Sequence, residues 1–530
     1  MNGTKVLSKR AIIISLVVIL IAGGSVAAYV LLDLSAKQQY FLAEKSSIEY
    51  VADKVKERYE PELNWYKHTE ENPTETTLEF SGKYNDPNAM NNFGVMGPAQ
   101  IINNSTLTIT TAMDKNKKHM ATQINASMGT IEVGDINLYL TADKVMLGLP
   151  FLDELLQLNG DDLGKLLKEV DPQKFTGEEK LDFNAFFEGS NGFINKEDQE
   201  YIKKEYLEMI YDELPEKSFE LTEETVNVNS KAIDTEKISM HLSEKQLKNL
   251  VSTVLEKMES DEKLKEIIGE QMVVQQFGAG ITSSSLTPEM QDQVDQLISD
   301  FETAIKDAQD GLRKLQIPDG LKSTIWVNND LIVKRDFSVK YGLTDENMIT
   351  LSVIGTQMLE DTSQTFNYEF GASDPTGDYT MTLNGELGSK DNEVSDSIKL
   401  AFGETELSYE GSETLNDGER EFERVFSYSD ATGGGSLKWS GNASYNNDQM
   451  TSEHDLSVEA PGISQDMFGL HIEKSAKTIK SVDLNNDKEI KNIGDMSMEE
   501  INQYIEMKLK PQFQQWIFGL MGTGGSMNGL

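Results

Sequence analysis

The feature that most constrains the fold is an alternation of apolar and polar residues that runs from Leu321 to Val458. A period of two places every second side chain on one side of a β-strand, so the pattern predicts antiparallel strands with one apolar and one polar face. About eight strands are expected, because turn signals interrupt the pattern at regular intervals. Their apolar positions are Ile325/Val327, Ile349/Leu351/Val353, Phe366/Tyr368/Phe370, Tyr379/Met381/Leu383, Ile398/Leu400/Phe402, Leu407/Tyr409, Phe426/Tyr428 and Leu437/Trp439.

Earlier segments show the same alternation and are expected to join this sheet. They lie at 77–84, between Leu107 and Leu149, and between Ser218 and His241. Strands twist, and wide flat sheets are rare, so a sheet of this length is expected to curl.

Helical spacing predicts helices between and around the strands. The segment 34–60 reads as a helix that Pro61 ends, and further helices are expected at 151–170 and 199–213. Ser243 and Gln246 form a capping-box pair at the start of another helix. Thr287 and Pro288 begin a helix with the apolar stripe Met290, Val294, Leu297, Ile298, Phe301 and Ile305. Residues 269–285 read as a loop, and a last helix is expected from Ser497 to about Gly519.

The N-terminus combines three cations with a long uncharged run. Lys5, Lys9 and Arg10 precede the segment from Ala11 to Leu32, which contains no charged residue. At about 1.5 Å per residue this segment is long enough to cross a bilayer core, and flanking cations favour the cytoplasmic side. We interpret it as a retained transmembrane helix with the N-terminus inside; a cleaved signal peptide is the alternative.

Composition excludes several functions. The chain has 89 Asp plus Glu against 48 Lys plus Arg, a net charge of −41, so nucleic-acid binding is not expected. The absence of cysteine excludes disulfides, thiol catalysis and Cys-ligated metals. The five histidines are scattered, and the calcium-loop spacing of Asp483, Asn485 and Asp487 lacks the required glycine and final glutamate. We therefore predict no metal, no cofactor and no enzyme activity.

Several stretches resemble a known family. They are QQYFLAEKSSIEYVADKVKERY, LYLTADKVMLGLPFLDELL, TVNVNSKAIDTEKISMHLSEKQLKNLV, TIWVNNDLIVKRDFSV and KEIKNIGDMSMEEINQYI. The pattern resembles large membrane-anchored extracytoplasmic proteins of Gram-positive bacteria, a resemblance that implies a location but no activity. At the level of fold, the order of sheet and helices is also similar to bacterial lipoprotein carriers. In those proteins a curved half-barrel and covering helices enclose an apolar groove.

The predicted fold class is α+β: a long, curled, half-barrel-like antiparallel sheet with packed helices, preceded by one transmembrane helix. Helices within 243–315 and 497–518 are expected on the concave face. The predicted segments are a cytoplasmic N-terminus (1–10), a transmembrane helix (11–32), a membrane-proximal helix (33–61), a β-rich part (62–242) with a helical insertion (151–213), a helical segment (243–318), an antiparallel part (319–460), a C-terminal segment with a helix (461–521) and a flexible tail (522–530).

The predicted function is that of a non-catalytic envelope protein, anchored in the cell membrane by a single pass, which holds a lipid-like or apolar ligand between sheet and helices. The residues expected to line this groove are Met290, Val294, Leu297, Phe301, Phe366, Phe370, Phe402, Trp439 and Trp516. Two alternatives stay open: an extracytoplasmic interaction or sensor protein with a filled core, and a cell-wall hydrolase. Expected partners are the membrane through the N-terminal helix, a lipid or apolar ligand, and another envelope protein.

Overall fold

The computed structural model describes residues 34–85, 98–129, 131–187, 195–277, 286–484 and 488–523. Its strands are β1 (Thr74–Tyr84), β2 (Ser105–Asp114), β3 (His119–Met128), β4 (Ile131–Leu140), β5 (Lys144–Gly148), β6 (Glu154–Asn159), β7 (Phe219–Val228), β8 (Lys231–Leu242), β9 (Leu321–Asn328), β10 (Leu331–Tyr341), β11 (Ile349–Glu360), β12 (Ser363–Asp374), β13 (Gly377–Lys390), β14 (Glu393–Phe402), β15 (Thr405–Asn416), β16 (Glu419–Asp430), β17 (Gly433–Tyr445), β18 (Gln449–Glu459), β19 (Phe468–Thr478) and β20 (Glu489–Asn492).

The described α-helices lie before, between and after these strands. They are α1 (Ala36–Arg58), α2 (Glu60–Glu71), α3 (Pro98–Asn103), α4 (Leu163–Val170), α5 (Asn184–Phe187), α6 (Lys196–Ile202), α7 (Glu208–Glu213), α8 (Glu244–Ser260), α9 (Glu262–Phe277), α10 (Pro288–Lys314), α11 (Met498–Tyr504) and α12 (Lys510–Thr523). A π-helical turn joins α6 to α7 (Lys203–Leu207), and another joins α11 to α12 (Ile505–Leu509). The capping box of Ser243 and Gln246 and the N-cap at Thr287 are confirmed.

All described strands belong to one 20-stranded sheet. From one edge, the strand order of the sheet is β20-β6-β5-β4-β3-β2-β1, and β1 then pairs with β19. From β19 the order runs back through consecutive strands to β7 at the other edge. The β20–β6 pair is parallel, and the other described pairs are antiparallel. The first strand therefore lies inside the sheet and pairs with β19, which follows it by hundreds of residues.

The main hydrophobic core lies at the β7 edge of this sheet. Helices α8 and α10 pack on each other and on one side of β7–β10. Helix α7 and the first half of α1 pack on the same side. The fully buried side chains here include Tyr40, Ile238, Met240, Leu242, Leu247, Leu255, Ile305 and Leu321. A smaller cluster of Leu140, Phe183 and Phe187 lies near the other edge. At that edge α12 contacts β4, and Phe513 and Trp516 pack on Phe151.

The predicted fold class is wrong. The structure is a single 20-stranded sheet, and the helices from 244 to 314 cover strands near one edge while the C-terminal helix contacts strands near the other. These two groups of helices do not share a concave face. In the described residues, no helix combines the length and apolarity needed to span a bilayer. The segment from Ala11 to Leu32 lies outside the described residues.

Local predictions also need correction. Pro61 does not end a helix but stands in the first turn of α2, where its missing N–H is not needed. The stretch predicted to be helical at 151–170 contains β6 before α4, since Leu155 and Leu156 are buried by the sheet and by its pairing with β20. Much of the predicted loop at 269–285 continues α9, which ends at Phe277.

Candidate functional site

Cross-strand register collects large apolar side chains on one side of β12–β19, here called the apolar face. Strand partners face the same side of a sheet, so directly opposed residues form rows. One row on the apolar face consists of Tyr368, Leu383, Leu400, Leu407 and Tyr428. The neighbouring row on the opposite side, the polar face, consists of Glu369, Thr382, Ala401, Glu406 and Ser429.

Helices α1 and α2 cross the apolar face at one end of the strands, here called the helix end. Contacts follow the helices strand by strand: Glu44 binds Arg335 of β10, and Arg58 binds Asp396 of β14 at 2.9 Å. Further along, Trp65 packs with Met450 of β18 and Ala476 of β19, and His68 hydrogen-bonds to Thr478 at 2.7 Å. The helix pair therefore covers this end of the sheet over many strands. The other end of the strands is called the far end.

In the middle of this covered region, buried ion pairs join the helices to the strands. The Glu413 carboxylate is fully buried (0% exposed); it accepts hydrogen bonds from Arg420 and from Arg424, the latter at 2.6 Å. Arg420 also binds Glu62 of α2 at 2.7 Å and donates to the carbonyl oxygen of Arg58 at 2.7 Å. Burial raises the pKa of Asp396, and its pair with Arg58 opposes that shift.

Toward the far end the apolar face is uncovered. Four side chains are about half exposed: Phe402 (54%), Tyr379 (47%), Leu407 (47%) and Tyr428 (44%). Four more, Phe426, Val458, Phe468 and Leu470, are 39–41% exposed. All eight lie on the apolar face by strand register, and we call them the open patch. Contiguous exposed apolar surface of this kind is characteristic of interaction sites.

The turns at the far end border the open patch with negative charge along one side. Asp374, Asp378, Glu404, Asp430, Glu459 and Asp466 lie at or beside these turns, and we call them the acidic rim. The Asp430 carboxylate accepts hydrogen bonds from Thr432 and Tyr428, and these bonds lower its pKa to about 2. Hydrogen bonds from Thr376 lower the pKa of Asp374 in the same way. Asp374 and Asp430 are therefore ionised at neutral pH.

Between the open patch and α2 lies a margin that carries cations. The Arg424 guanidinium lies over the rings of Phe422 and Trp439, at 4.5 and 4.8 Å from their centroids. Trp439 donates a hydrogen bond to Nδ1 of His454 at 3.3 Å. Lys474 lies on the adjacent strand β19, opposite Ser452 and Leu78. Burial lowers the pKa of Lys474, and no acidic neighbour contributes to its shift.

The structure separates the residues predicted to form a groove. Phe366, Phe370, Phe402 and Trp439 share the apolar face of the central sheet. Val294 is buried on α10, and Phe301 of the same helix packs on the main core, while Met290 and Leu297 lie partly exposed on that helix. Trp516 packs on Phe151 near the opposite edge of the sheet. The helical and strand residues therefore do not line one common space.

Sequence reasoning identified the alternation but not the open patch. The alternation predicts that Tyr379, Leu407, Phe426 and Tyr428 lie in strands, but it does not show which parts of a face are covered. Lys474 can be recognised in the sequence because it stands where the alternation of β19 places an apolar residue. The series is Phe468, Leu470, Ile472, Lys474 and Ala476.

Two concave regions outside the open patch are lined mainly by polar side chains. One is a shallow concavity of about 770 Å³ on the polar face at the helix end, where Glu386, Glu393, Glu421 and Glu423 alternate with serine and threonine. A second, of about 600 Å³, lies at the tips of β7–β9 and is also acidic. Within the described ranges, histidine and carboxylate side chains do not gather in threes as ligands of a metal ion.

Comparison with known proteins yields structural matches alone. No family model matches the chain, and no curated protein matches it. Similar solved structures include OccK9 (OpdG) of Pseudomonas aeruginosa (6% identity, TM-score 0.22, 77% of this chain and 98% of that chain). Another is a BenF-like porin from Pseudomonas fluorescens Pf-5 (9% identity, TM-score 0.22, 77% and 98%). A third is OmpF of Salmonella typhi (8% identity, TM-score 0.19, 78% and 99%). At TM-scores this low, the likeness carries no functional inference.

The structure also corrects the predicted function. The described helices contain no candidate membrane span, and the residues expected to enclose a lipid-like ligand between helices and sheet are dispersed. The prediction of a ligand groove between helices and sheet is therefore wrong, and no described helix supports the prediction of a single-pass cell-membrane protein.

Proposed function

We propose that this protein acts by binding rather than by catalysis, and that the open patch docks the apolar surface of a partner protein. The observation that carries the proposal is the contrast along one face of the sheet. At the helix end, α1 and α2 cover the apolar face and bury its charged groups in ion pairs. At the far end, eight large apolar side chains on the same face are exposed to 39–54%.

The acidic rim defines the chemistry of that partner. The rim carries six carboxylates, and the whole chain has a net charge of −41. A partner whose apolar surface is flanked by lysine and arginine would be attracted at long range and held in register at the rim. Two copies of this chain would repel each other electrostatically, so a basic partner is favoured over self-association.

Rigid aromatic side chains suit this role. Phe402, Phe426 and Tyr428 present large areas with few rotatable bonds, and aromatic residues of this kind dominate the energetics of protein interfaces. Antiparallel strands of 10–14 residues hold them in fixed relative positions, so little ordering is required when a partner docks.

Site-specific photo-crosslinking in the cells that produce the protein tests the proposal. A photoreactive phenylalanine analogue at position 426 or 428 is expected to capture one defined protein, whereas the same analogue at Ser427, on the polar face, is not. The captured protein, identified by mass spectrometry and purified, should bind the full chain directly. The double variant F426S/Y428S should weaken that binding at least tenfold.

The matched control is V425S, which changes an apolar residue of the same strand on the polar face and should leave binding unchanged. Neutralising the rim with D374N/D430N should slow association and reduce its dependence on salt. Crosslinks only to a second copy, crosslinks only to lipid, or equal capture from positions 426 and 427 would each refute the proposal.

A further inference from the structure

The cations between the open patch and α2 would influence how a partner is oriented on the patch. The charged apolar-face residues of β12–β19 include Asp396, Glu413, Arg420 and Arg424, which are joined in the buried network under α1 and α2. Lys474 is different. Within the described part of the chain its ammonium group has neither an ion pair nor a hydrogen bond, although its side chain is partly buried.

The neighbours of Lys474 offer it no negative charge. Its directly opposed residues are Leu78 and Ser452, and the next apolar-face residues along β19 are Ile472 and Ala476. His454, one residue pair away, hydrogen-bonds to Trp439 and Ser452. Burial lowers the pKa of His454, and the positive charges of Lys474 and Arg424 lower it further. A partner that covers the patch would desolvate this ammonium further, and an unpaired buried charge is costly.

We propose that Lys474 binds an acidic side chain of the docked partner and thereby orients that partner along the strands. This inference rests on the proposed function. A partner with lysine or arginine toward the acidic rim and an aspartate or glutamate toward Lys474 is complementary in one direction only. The reversed orientation brings like charges together at both ends of the patch, so electrostatics selects the direction of docking.

Two matched fluorescent probes test the lysine without knowledge of the partner. Anilinonaphthalene sulfonate carries an anion on an aromatic body, and N-phenylnaphthylamine has a closely similar body without charge. Both should bind the full chain at the open patch, and F426S/L470S should weaken both. K474M should weaken only the sulfonate probe, by about tenfold, because it removes the charge but keeps an apolar side chain of similar length.

K474R should restore sulfonate binding. K477M, which removes an exposed lysine on the polar face that pairs with Glu75 at 2.8 Å, should not change the affinity for either probe. Circular dichroism of each variant verifies folding. Unchanged affinity of K474M for the sulfonate would overturn the role of Lys474 and leave the docking surface intact. Failure of the wild-type chain to bind either probe would overturn the docking surface, and this inference with it.

Discussion

At the scale of single residues, replacing Glu413 is expected to cause the largest loss in the free energy of unfolding. Its carboxylate is fully buried and binds both Arg420 and Arg424. The variant E413Q would leave the Arg424 guanidinium without its counter-charge and the buried Arg420 guanidinium with Glu62 alone. Removing one partner of a buried ion pair costs about 3–5 kcal/mol. We expect a loss of this size in the free energy of unfolding, measured by denaturant titration.

The control for this prediction is E421Q, which changes an exposed glutamate on the polar face of the next strand and should cost less than about 0.5 kcal/mol. A loss below about 1 kcal/mol for E413Q would show that the network under α2 is hydrated rather than desolvated.

His471 is expected to make the stability of the protein depend on pH. Hydrogen bonding to Asp455 at 2.9 Å, and to Glu473 at 3.3 Å, raises the pKa of His471 above its ordinary 6.5. A raised pKa means that the stabilisation is complete below the unfolded-state pKa and is lost as pH rises through the folded-state pKa. Wild type should therefore exceed H471Q in melting temperature at pH 5.5, and the difference should shrink at pH 8.5.

The imidazole is partly exposed, so the maximum difference should stay below about 1 kcal/mol. The pKa itself is measurable from the pH dependence of the His471 ring resonances. A difference between the two proteins that grows with rising pH would contradict the assignment.

At the scale of elements, α8 shows how an amphipathic helix joins the sheet to the other helices. Leu255 is fully buried in the main core, to which α10, β8 and β9 also contribute, whereas Glu256 on the same turn is exposed. L255A should lower stability by about 2–5 kcal/mol, because the lost methyl groups leave a cavity that rigid neighbours cannot fill. E256A should have little effect, and equal losses for both would mean that α8 does not pack as described.

At the scale of the whole molecule, stability should be uneven along the strands. The main core buries β8 and β9 under helices, whereas the far-end hairpins of β12–β17 are a single layer. Local opening requires less free energy where few apolar contacts are lost. Amide hydrogen exchange should therefore be slowest at 238–242 and 321–327 and much faster at 374–378, 403–405 and 430–433. Uniform protection would contradict a single-layer far end.

The sequence predicts individual strands well and their neighbours poorly. The alternating pairs from Ile349 to Trp439 all lie in described strands, because local periodicity reports which side chains share a face. Leu155 and Leu158 were assigned to a helix, since short apolar runs fit either periodicity. The burial of β6 beside β20 resolved that ambiguity only through a contact more than three hundred residues away.

The prediction of a ligand groove was wrong for a similar reason. The stripe on α10 correctly indicates an apolar face, and the aromatics of β12–β17 correctly indicate another. Amphipathicity alone cannot say which two faces meet, and in the structure α10 packs on the β7–β10 core while the far end of the apolar face stays open.

By itself the sequence determined which residues alternate, where turns and helix caps fall, and that the chain is strongly acidic. These properties depend on neighbours a few residues apart. Tertiary structure alone decided that β1 pairs with β19, that α1 and α2 cover one end of the apolar face, and that the open patch remains uncovered. Such features depend on contacts between segments hundreds of residues apart, and no local pattern of side chains records them.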